Sequence, residues 1–251
     1  FKVTPNTAPD LGVSDTACKH APSLVLRALL ALDASHLDPA HELRRQFGAS
    51  AIKAYEREKG STTTSSRTGA RSRDNRGAHF NSNMRVRTVL TTPKPTWPDL
   101  NRSFVGMSMS ADERDQGVRV YSWEHSRAYK QAQFQFSQAV ASFDTQSLVA
   151  LLRVFPWHVD TLLQLSAVSR YQGDLGQASD FIDRALFAME RSAASTFVSG
   201  LTSQTGPPMC DFLRAENRAF WLAIHRNIDL YGRKGTWRTA LEWCKLLFAL
   251  D

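Results

Sequence analysis

Apolar side chains recur every three or four positions from residue 124 to the end of the sequence, and no other feature narrows the possible folds as far. This spacing is the pattern of amphipathic helices. Two of the helical stretches, His158 to Tyr171 and Ala178 to Glu190, are separated only by a glycine-rich turn at residues 173–176. The sequence therefore predicts helices that fold back on each other in antiparallel pairs.

The predicted helix pairs carry a repeat. Tetratricopeptide pairs are about 34 residues long and have small residues where their two helices touch. Ala178 and Ala185 occupy such positions in one pair, and Ala132 and Ala139 occupy them in the pair before it. Together with a third match further along the chain, these positions predict at least three consecutive helical hairpins of the tetratricopeptide (TPR) type, one of them interrupted.

The third match to the helix-pair repeat lies around Gly235, further along the chain than the repeat length predicts. We therefore interpret residues 192–216 as an inserted loop. Each pair needs neighbours to cover its apolar face, so stacking is expected. The predicted fold class is all-α: an α-solenoid of TPR-like helical hairpins, preceded by an extended or disordered basic N-terminal segment. Because Leu250-Asp251 directly follow an apolar helix, we expect the native protein to continue.

The N-terminal hundred residues lack this repeat. Pro22 to Leu32 is apolar all round a helix and should be buried, and Asp38-Pro39 is typical of a helix start. Val118–Trp123 has the alternation of a strand but no predicted partner, so we interpret it as extended. We expect three parts: an irregular segment with short helices at 1–59, a basic low-complexity loop and a Pro/Trp-containing extended segment at 60–101, and the TPR-like domain at 102–251.

The positive charge is concentrated in one segment. The formal net charge is +7, and residues 61–101 contribute +5 of it from 7 basic and 2 acidic side chains. Residues 60–83 have too few large apolar side chains to offset chain entropy, which predicts disorder. Arginines in such a context can contact RNA phosphates or an acidic partner, and the alternative is a solvated linker without a partner. The candidate contacts are Arg67, Arg71, Arg73, Arg76, Arg85 and Arg87.

Trp97 lies among three prolines, which exclude a helix over residues 89–100 and favour an extended segment. Two roles are open for this side chain. It either packs on the helical domain as an anchor, which is the preferred interpretation, or it contacts a partner protein.

The sequence contains no recognisable catalytic or cofactor motif. It has no nucleophile elbow, phosphate-binding loop, dinucleotide fingerprint or HExxH zinc motif. We expect His125 and His158 to be structural, and we predict no enzymatic activity, no cofactor and no small-molecule substrate. The three cysteines are too widely spaced for a zinc knuckle or a disulfide framework, which favours reduced thiols. No apolar run is long enough to span a membrane, so we predict no membrane association.

Several strings resemble one known family. They are HLDPAHELRRQFG (36–48), PTWPDL (95–100), YSWEHSRAYKQAQFQF (121–136), PWHVDTLLQLSAV (156–168), DLGQASDFIDRALFAMERS (174–192), ENRAFWLAI (216–224) and RTALEWCKLLFALD (238–251). Together they resemble the family of transcription factor 25 and ribosome quality control complex subunit 1. The match rests on uncommon ordered combinations such as EHSRxY and LEWCKLL, and it covers most of the chain except residues 60–83 and 193–210.

The resemblance implies a non-catalytic adaptor. Members of the family act with an E3 ubiquitin ligase of the Listerin type on large ribosomal subunits that hold a stalled nascent chain. They favour degradation-type ubiquitin chains and help to engage the AAA segregase ATPase that extracts the peptide. The expected location is therefore cytoplasmic and ribosome-associated, and also nuclear, with rRNA as a further contact of the arginine loop. The alternative is a nuclear transcriptional corepressor that works through protein contacts.

Overall fold

A computed structural model describes residues 29–54, 88–100, 106–114, 118–203 and 208–250. These residues are mostly helical, with one small sheet. The helices are α1 (Ala34–Leu37), α2 (Pro39–Phe47), α3 (Arg127–Ala141), α4 (Thr145–Val154), α5 (Val159–Tyr171), α6 (Leu175–Ser192), α7 (Ser195–Leu201), α8 (Ala215–Arg233) and α9 (Trp237–Ala249). The strands are β1 (Met107–Arg114), β2 (Val118–His125) and β3 (Met209–Cys210).

The start of α2 follows directly from its sequence. The Asp38 carboxylate accepts a hydrogen bond from the backbone N–H of Ala40 at 2.9 Å, and proline occupies the first turn. Gly48 ends the helix with a φ of 84°, a conformation that glycine adopts without steric cost. The predicted helix start at Asp38-Pro39 is confirmed.

Consecutive helices of the C-terminal part pack on each other. Helix α5 packs along α6, α6 also packs on α8, and α8 packs along α9. Gly173 joins the first pair and Gly235 the last, each with positive φ, which permits the tight reversals. Ala178 is 1% exposed and Ala185 is fully buried. The predicted helix–turn–helix pairs are therefore present.

The prediction of a mainly helical fold is confirmed, but the all-α class is incomplete, because the described residues also form a small three-stranded sheet. The solenoid arrangement of the helix pairs stays a prediction. Strands β1 and β2 pair antiparallel along their whole length, and β3 pairs parallel to β2 at its centre. The stretch Val118–Trp123 is therefore the middle strand and not an isolated extended segment. Its Tyr121 and Trp123 are almost completely buried against Phe197 and Phe220. The sheet was missed because MSMSADER in β1 lacks the β-branched and aromatic residues typical of strands.

The segment interpreted as an inserted loop contributes to the core. It contains helix α7 and strand β3, and Phe197, Leu201 and Cys210 are each at most 1% exposed. Backbone hydrogen bonding continues from β3 to the chain end, where the N–H of Cys210 donates to the carbonyl of Leu250 at 2.7 Å. The insertion between the second and third helix pairs is thus part of the packed domain.

One hydrophobic core joins the N-terminal residues to the helices. Leu32, Leu37, Leu90 and Trp97 belong to the same buried cluster as residues of α5, α6, α8 and α9. Residues 22–28 of the predicted apolar helix lie outside the described residues, and the division of the chain at residues 59 and 101 stays a prediction. Among the described helices, none combines the length and the apolar character that crossing a membrane requires.

Candidate partner-binding surfaces

The six arginines predicted to contact RNA or an acidic partner cannot be placed. Arg67, Arg71, Arg73, Arg76, Arg85 and Arg87 all lie outside the described residues. Their role stays a prediction. The described residues resume at Thr88, directly after the last of these arginines. The structure therefore shows where the chain enters the domain.

Trp97 lies in the core at that junction. The ring is 4% exposed and contacts Trp157 and Phe187 at centroid distances of 6.2 and 5.5 Å. Its Nε1–H donates to the carboxylate of Asp180 in α6 at 3.1 Å. This position fits the packing anchor and leaves little of the side chain for a partner protein.

A lysine beside Trp97 completes this attachment. Lys94 Nζ lies 2.7 Å from Asp180 Oδ1 and 3.0 Å from Asp183 Oδ2. Burial acts to lower the pKa of Lys94, but the two aspartates outweigh it and raise that pKa. Burial raises the pKa of Asp183, against the attraction of the lysine. The extended segment is thus tied to α6 by an ion-pair network and an indole.

Glu190 holds the beginning of the same segment. Its carboxylate accepts hydrogen bonds from the backbone N–H groups of Val89 and Leu90, the latter at 3.1 Å. Burial raises the pKa of Glu190, and these hydrogen bonds oppose the rise. A cleft of about 320 Å³ lies beside this contact, lined by Leu37, Thr91 and other residues of both N-terminal segments. Val89 and Leu90, which follow the arginine segment, are therefore held by a side chain of α6.

Helices α1 and α2 are fastened to α9 across nearly 200 residues of sequence. The Glu42 carboxylate accepts hydrogen bonds from the backbone N–H groups of Arg238 and Thr239 at 3.1 and 2.9 Å. Thr236, the N-cap residue of α9, makes no side-chain capping bond itself, so Glu42 supplies the missing acceptor. Close by, the Trp243 indole donates to the carbonyl of Leu37 at 3.2 Å.

The histidine predicted to be structural lies in a closed hydrogen-bond network. His158 is fully buried at the start of α5, with Nδ1 at 2.8 Å from Thr161 Oγ1 and Nε2 at 2.9 Å from Gln133 Oε1. Burial lowers its pKa to about 4, and His125 contributes in the same direction. Both ring nitrogens are used for packing, and within the described ranges no group of three metal-ligating side chains comes together.

Burial raises the pKa of both cysteines that the structure describes. Cys210 is buried, and burial raises the pKa of its thiol to about 12. Cys244 is half-buried, and burial raises its pKa as well. A raised pKa keeps a thiol protonated and unreactive at neutral pH. Cys18 lies outside the described residues.

Sequence reasoning missed an apolar stripe on α9. Trp237, Leu241 and Phe248 are 70%, 55% and 80% exposed, and the half-buried Cys244 completes their i, i+4, i+7, i+11 spacing. The opposite face, with Trp243 and Leu246, is fully buried. Apolar residues on both sides of this helix were visible in the sequence, but periodicity alone does not tell which side the core takes.

Comparison with known proteins gives consistent matches. The family model described as transcriptional repressor TCF25 matches residues 121–251. The human protein named ribosome quality control complex subunit TCF25 is 37% identical over 234 residues, which cover 92% of this chain and 30% of the human protein. The fission yeast protein named ribosome quality control complex subunit 1 is 31% identical over 90% of this chain and 31% of its own length.

One relative has a different name. A protein of the fungus Ampulloclitocybe clavipes, named probable transcription factor claV, is 36% identical over 84% of this chain and 26% of its own length. No solved structure shows a significant match. The chain thus spans about 30% of the length of its human relative. The family model and the matched relatives show that the chain belongs to the Tcf25 family.

Proposed function

We propose that this protein is a non-catalytic adaptor subunit of the ribosome-associated quality control complex. The observation that carries the proposal is the identity of 31% and 37% to two proteins named as subunits of that complex, each over at least 90% of this chain. The proposed location is cytoplasmic, on the large ribosomal subunit, with a further nuclear pool.

The proposed mechanism is positioning. The adaptor acts with an E3 ubiquitin ligase of the Listerin type, promotes degradation-type ubiquitin chains on the stalled nascent chain, and helps an AAA segregase ATPase to extract it. Orienting two reactants accelerates a transfer without a reactive group on the adaptor. Two potentially reactive side chains of the described residues fit this role, because His158 is buried and hydrogen-bonded through both ring nitrogens, and burial raises the pKa of the Cys210 thiol.

The helix pairs form part of a longer TPR-like solenoid in this proposal. Support comes from the order of packing, in which α5 and α6 lie side by side, α6 contacts α8, and α8 lies along α9. A solenoid presents a long surface to which several partners can bind at once. The arginine segment (residues 67–87) is the proposed rRNA contact; Leu90, which follows it in the sequence, donates a hydrogen bond to Glu190 of α6.

Gradient sedimentation tests the proposal. The tagged full-length protein from cells with stalled ribosomes is expected to comigrate with large ribosomal subunits, and release of the nascent chains is expected to move it to lighter fractions. Reversal of the six arginine charges to glutamate is expected to reduce the comigration. Full comigration of that variant would contradict the rRNA contact while leaving the adaptor role intact.

The second candidate function is a nuclear transcriptional corepressor. It is favoured by the name of the fungal relative and by the description of the family model. It predicts a pool of the protein that is bound to chromatin and absent from ribosomal fractions. A protein found on chromatin alone would overturn the adaptor proposal.

A further inference from the structure

A small cavity lies where α5, α6 and α8 meet, and two arginines line it. Arg170 from α5 and Arg226 from α8 share a cavity of about 150 Å³ with Ser166, Tyr171 and the apolar side chains of Ile182 and Leu230. Tyr171 is 88% exposed and stands at the rim. The site is therefore open to solvent on one side and closed by the helix packing on the other.

The positive charges of this cavity are only partly neutralised. Asp229 pairs with one of these arginines, and its two oxygens are already bound, Oδ2 by Arg170 at 2.5 Å and Oδ1 by Arg233 at 3.2 Å. Arg226 pairs with no carboxylate in the part of the chain that the structure describes. Asp229 thus neutralises part of the charge of Arg170 and Arg233, and Arg226 has no carboxylate partner among the described residues.

Two hydrogen bonds hold Arg226 in place, although no carboxylate among the described residues neutralises its charge. Its Nη1–H group donates to the carbonyl of Leu163 and to Ser166 Oγ, the latter at 3.0 Å. Burial lowers the pKa of Arg226, and Arg170 adds to the effect. Burying half of a guanidinium without a counter-ion costs free energy, and a bound anion would offset that cost. Neither of the bonds of Arg226 uses its Nε–H or Nη2–H, so these remain for a ligand.

We propose that this cavity binds the carboxylate of a glutamate side chain from an acidic segment of a partner protein. A guanidinium pairs with a planar carboxylate through two parallel hydrogen bonds. The apolar walls, including Ala167 and Ala178, suit the methylene groups of a glutamate and offer few partners to a free phosphate. A cavity of this volume admits one side chain and excludes a nucleotide.

The inference goes beyond the proposed function, because binding to this cavity requires no ribosome. Its test is the fluorescence anisotropy of a fluorescein-labelled oligoglutamate peptide titrated with the purified protein. We expect Arg226→Gln to weaken binding about tenfold or more, equivalent to ~1.4 kcal/mol. Arg170→Gln, at a more exposed residue, is expected to weaken it in the same direction and serves if Arg226→Gln does not fold.

Two controls separate the cavity from general charge attraction. Arg218→Gln removes the same charge from another part of α8, and we expect it to change the affinity by less than about twofold, since exposed charges are screened. Ala167→Leu fills the cavity without changing the charge and is expected to weaken binding. Equal losses for Arg218→Gln and Arg226→Gln, or full binding by Ala167→Leu, would overturn the proposal.

Competition distinguishes the ligand chemistry. Glutarate is expected to displace the peptide at lower concentration than inorganic phosphate does at the same ionic strength. A peptide in which every glutamate is replaced by glutamine is expected not to bind. Equal competition by phosphate and glutarate would show an unselective oxyanion site and would overturn the assignment to a carboxylate.

Discussion

The Nε2 atom of His158 lies 2.9 Å from Oε1 of Gln133, so one buried imidazole links α5 to α3. Protonation of this imidazole is unfavourable in the folded state, where its pKa is about 4 against an ordinary value of 6.5. The unfolded chain therefore binds more protons between these two pH values. The contribution of His158 to stability is complete above pH 6.5 and is lost as the pH falls towards 4.

We expect His158 to account for a decrease of ~3 kcal/mol in the free energy of unfolding across that pH range. His158→Asn keeps an N-cap side chain but cannot titrate. The difference between the wild type and this variant, measured by urea unfolding at a series of pH values, isolates the histidine from the carboxylates. Parallel pH profiles for the two proteins would contradict the prediction.

Glu42→Ala should release the N-terminal helices from α9. The substitution leaves the N–H groups of Arg238 and Thr239 without their acceptor, which typically costs about 1 kcal/mol for a helix cap. Urea unfolding measures the loss, and hydrogen exchange at the Thr239 amide should become faster. Glu113→Ala, at an exposed position in β1, is the matched control and should leave both measurements unchanged.

A charged side chain at the packed face of α6 should disrupt the helix pairs. Ala178→Arg and Ala185→Arg place a guanidinium where the native side chains are 1% and 0% exposed, which we expect to cost several kcal/mol. Ala141→Arg, at an exposed position in α3, is the control. Thermal unfolding should show a large decrease in Tm for the first two variants alone. A Tm close to that of the wild type for either would show that its alanine is not in a tight interface.

Trp97 and Trp237 offer a direct comparison of a buried and an exposed indole. Trp97→Ala should destabilise the fold by about 3–5 kcal/mol, because it opens a cavity beside Trp157 and Phe187. Trp237 is 70% exposed, and Trp237→Ala should have a much smaller effect. Denaturant unfolding of both variants measures the difference. Similar losses would contradict the anchoring role of Trp97.

Local sequence determined the helices and several of their ends. The start of α2 follows from Asp38 and Pro39, whose capping bond and fixed φ act within one turn. The reversal after α5 follows from Gly173, which adopts positive φ. For Trp97 the sequence left two roles open, packing on the helices or contact with a partner, and the ring lies against Trp157 and Phe187.

Only the tertiary structure decided which distant groups meet. Strand β2 packs Tyr121 and Trp123 against Phe197 of α7 and Phe220 of α8, and it pairs with β3, which lies about 85 residues further along the chain. Glu42 caps a helix that begins at Trp237, and Arg226 comes beside Arg170, through packing that no local pattern encodes. Capping and turn preferences act over a few residues and can be read along the chain. The partners of a buried charge, and the outward side of a helix with apolar residues on two faces, are set by the packing of the whole chain.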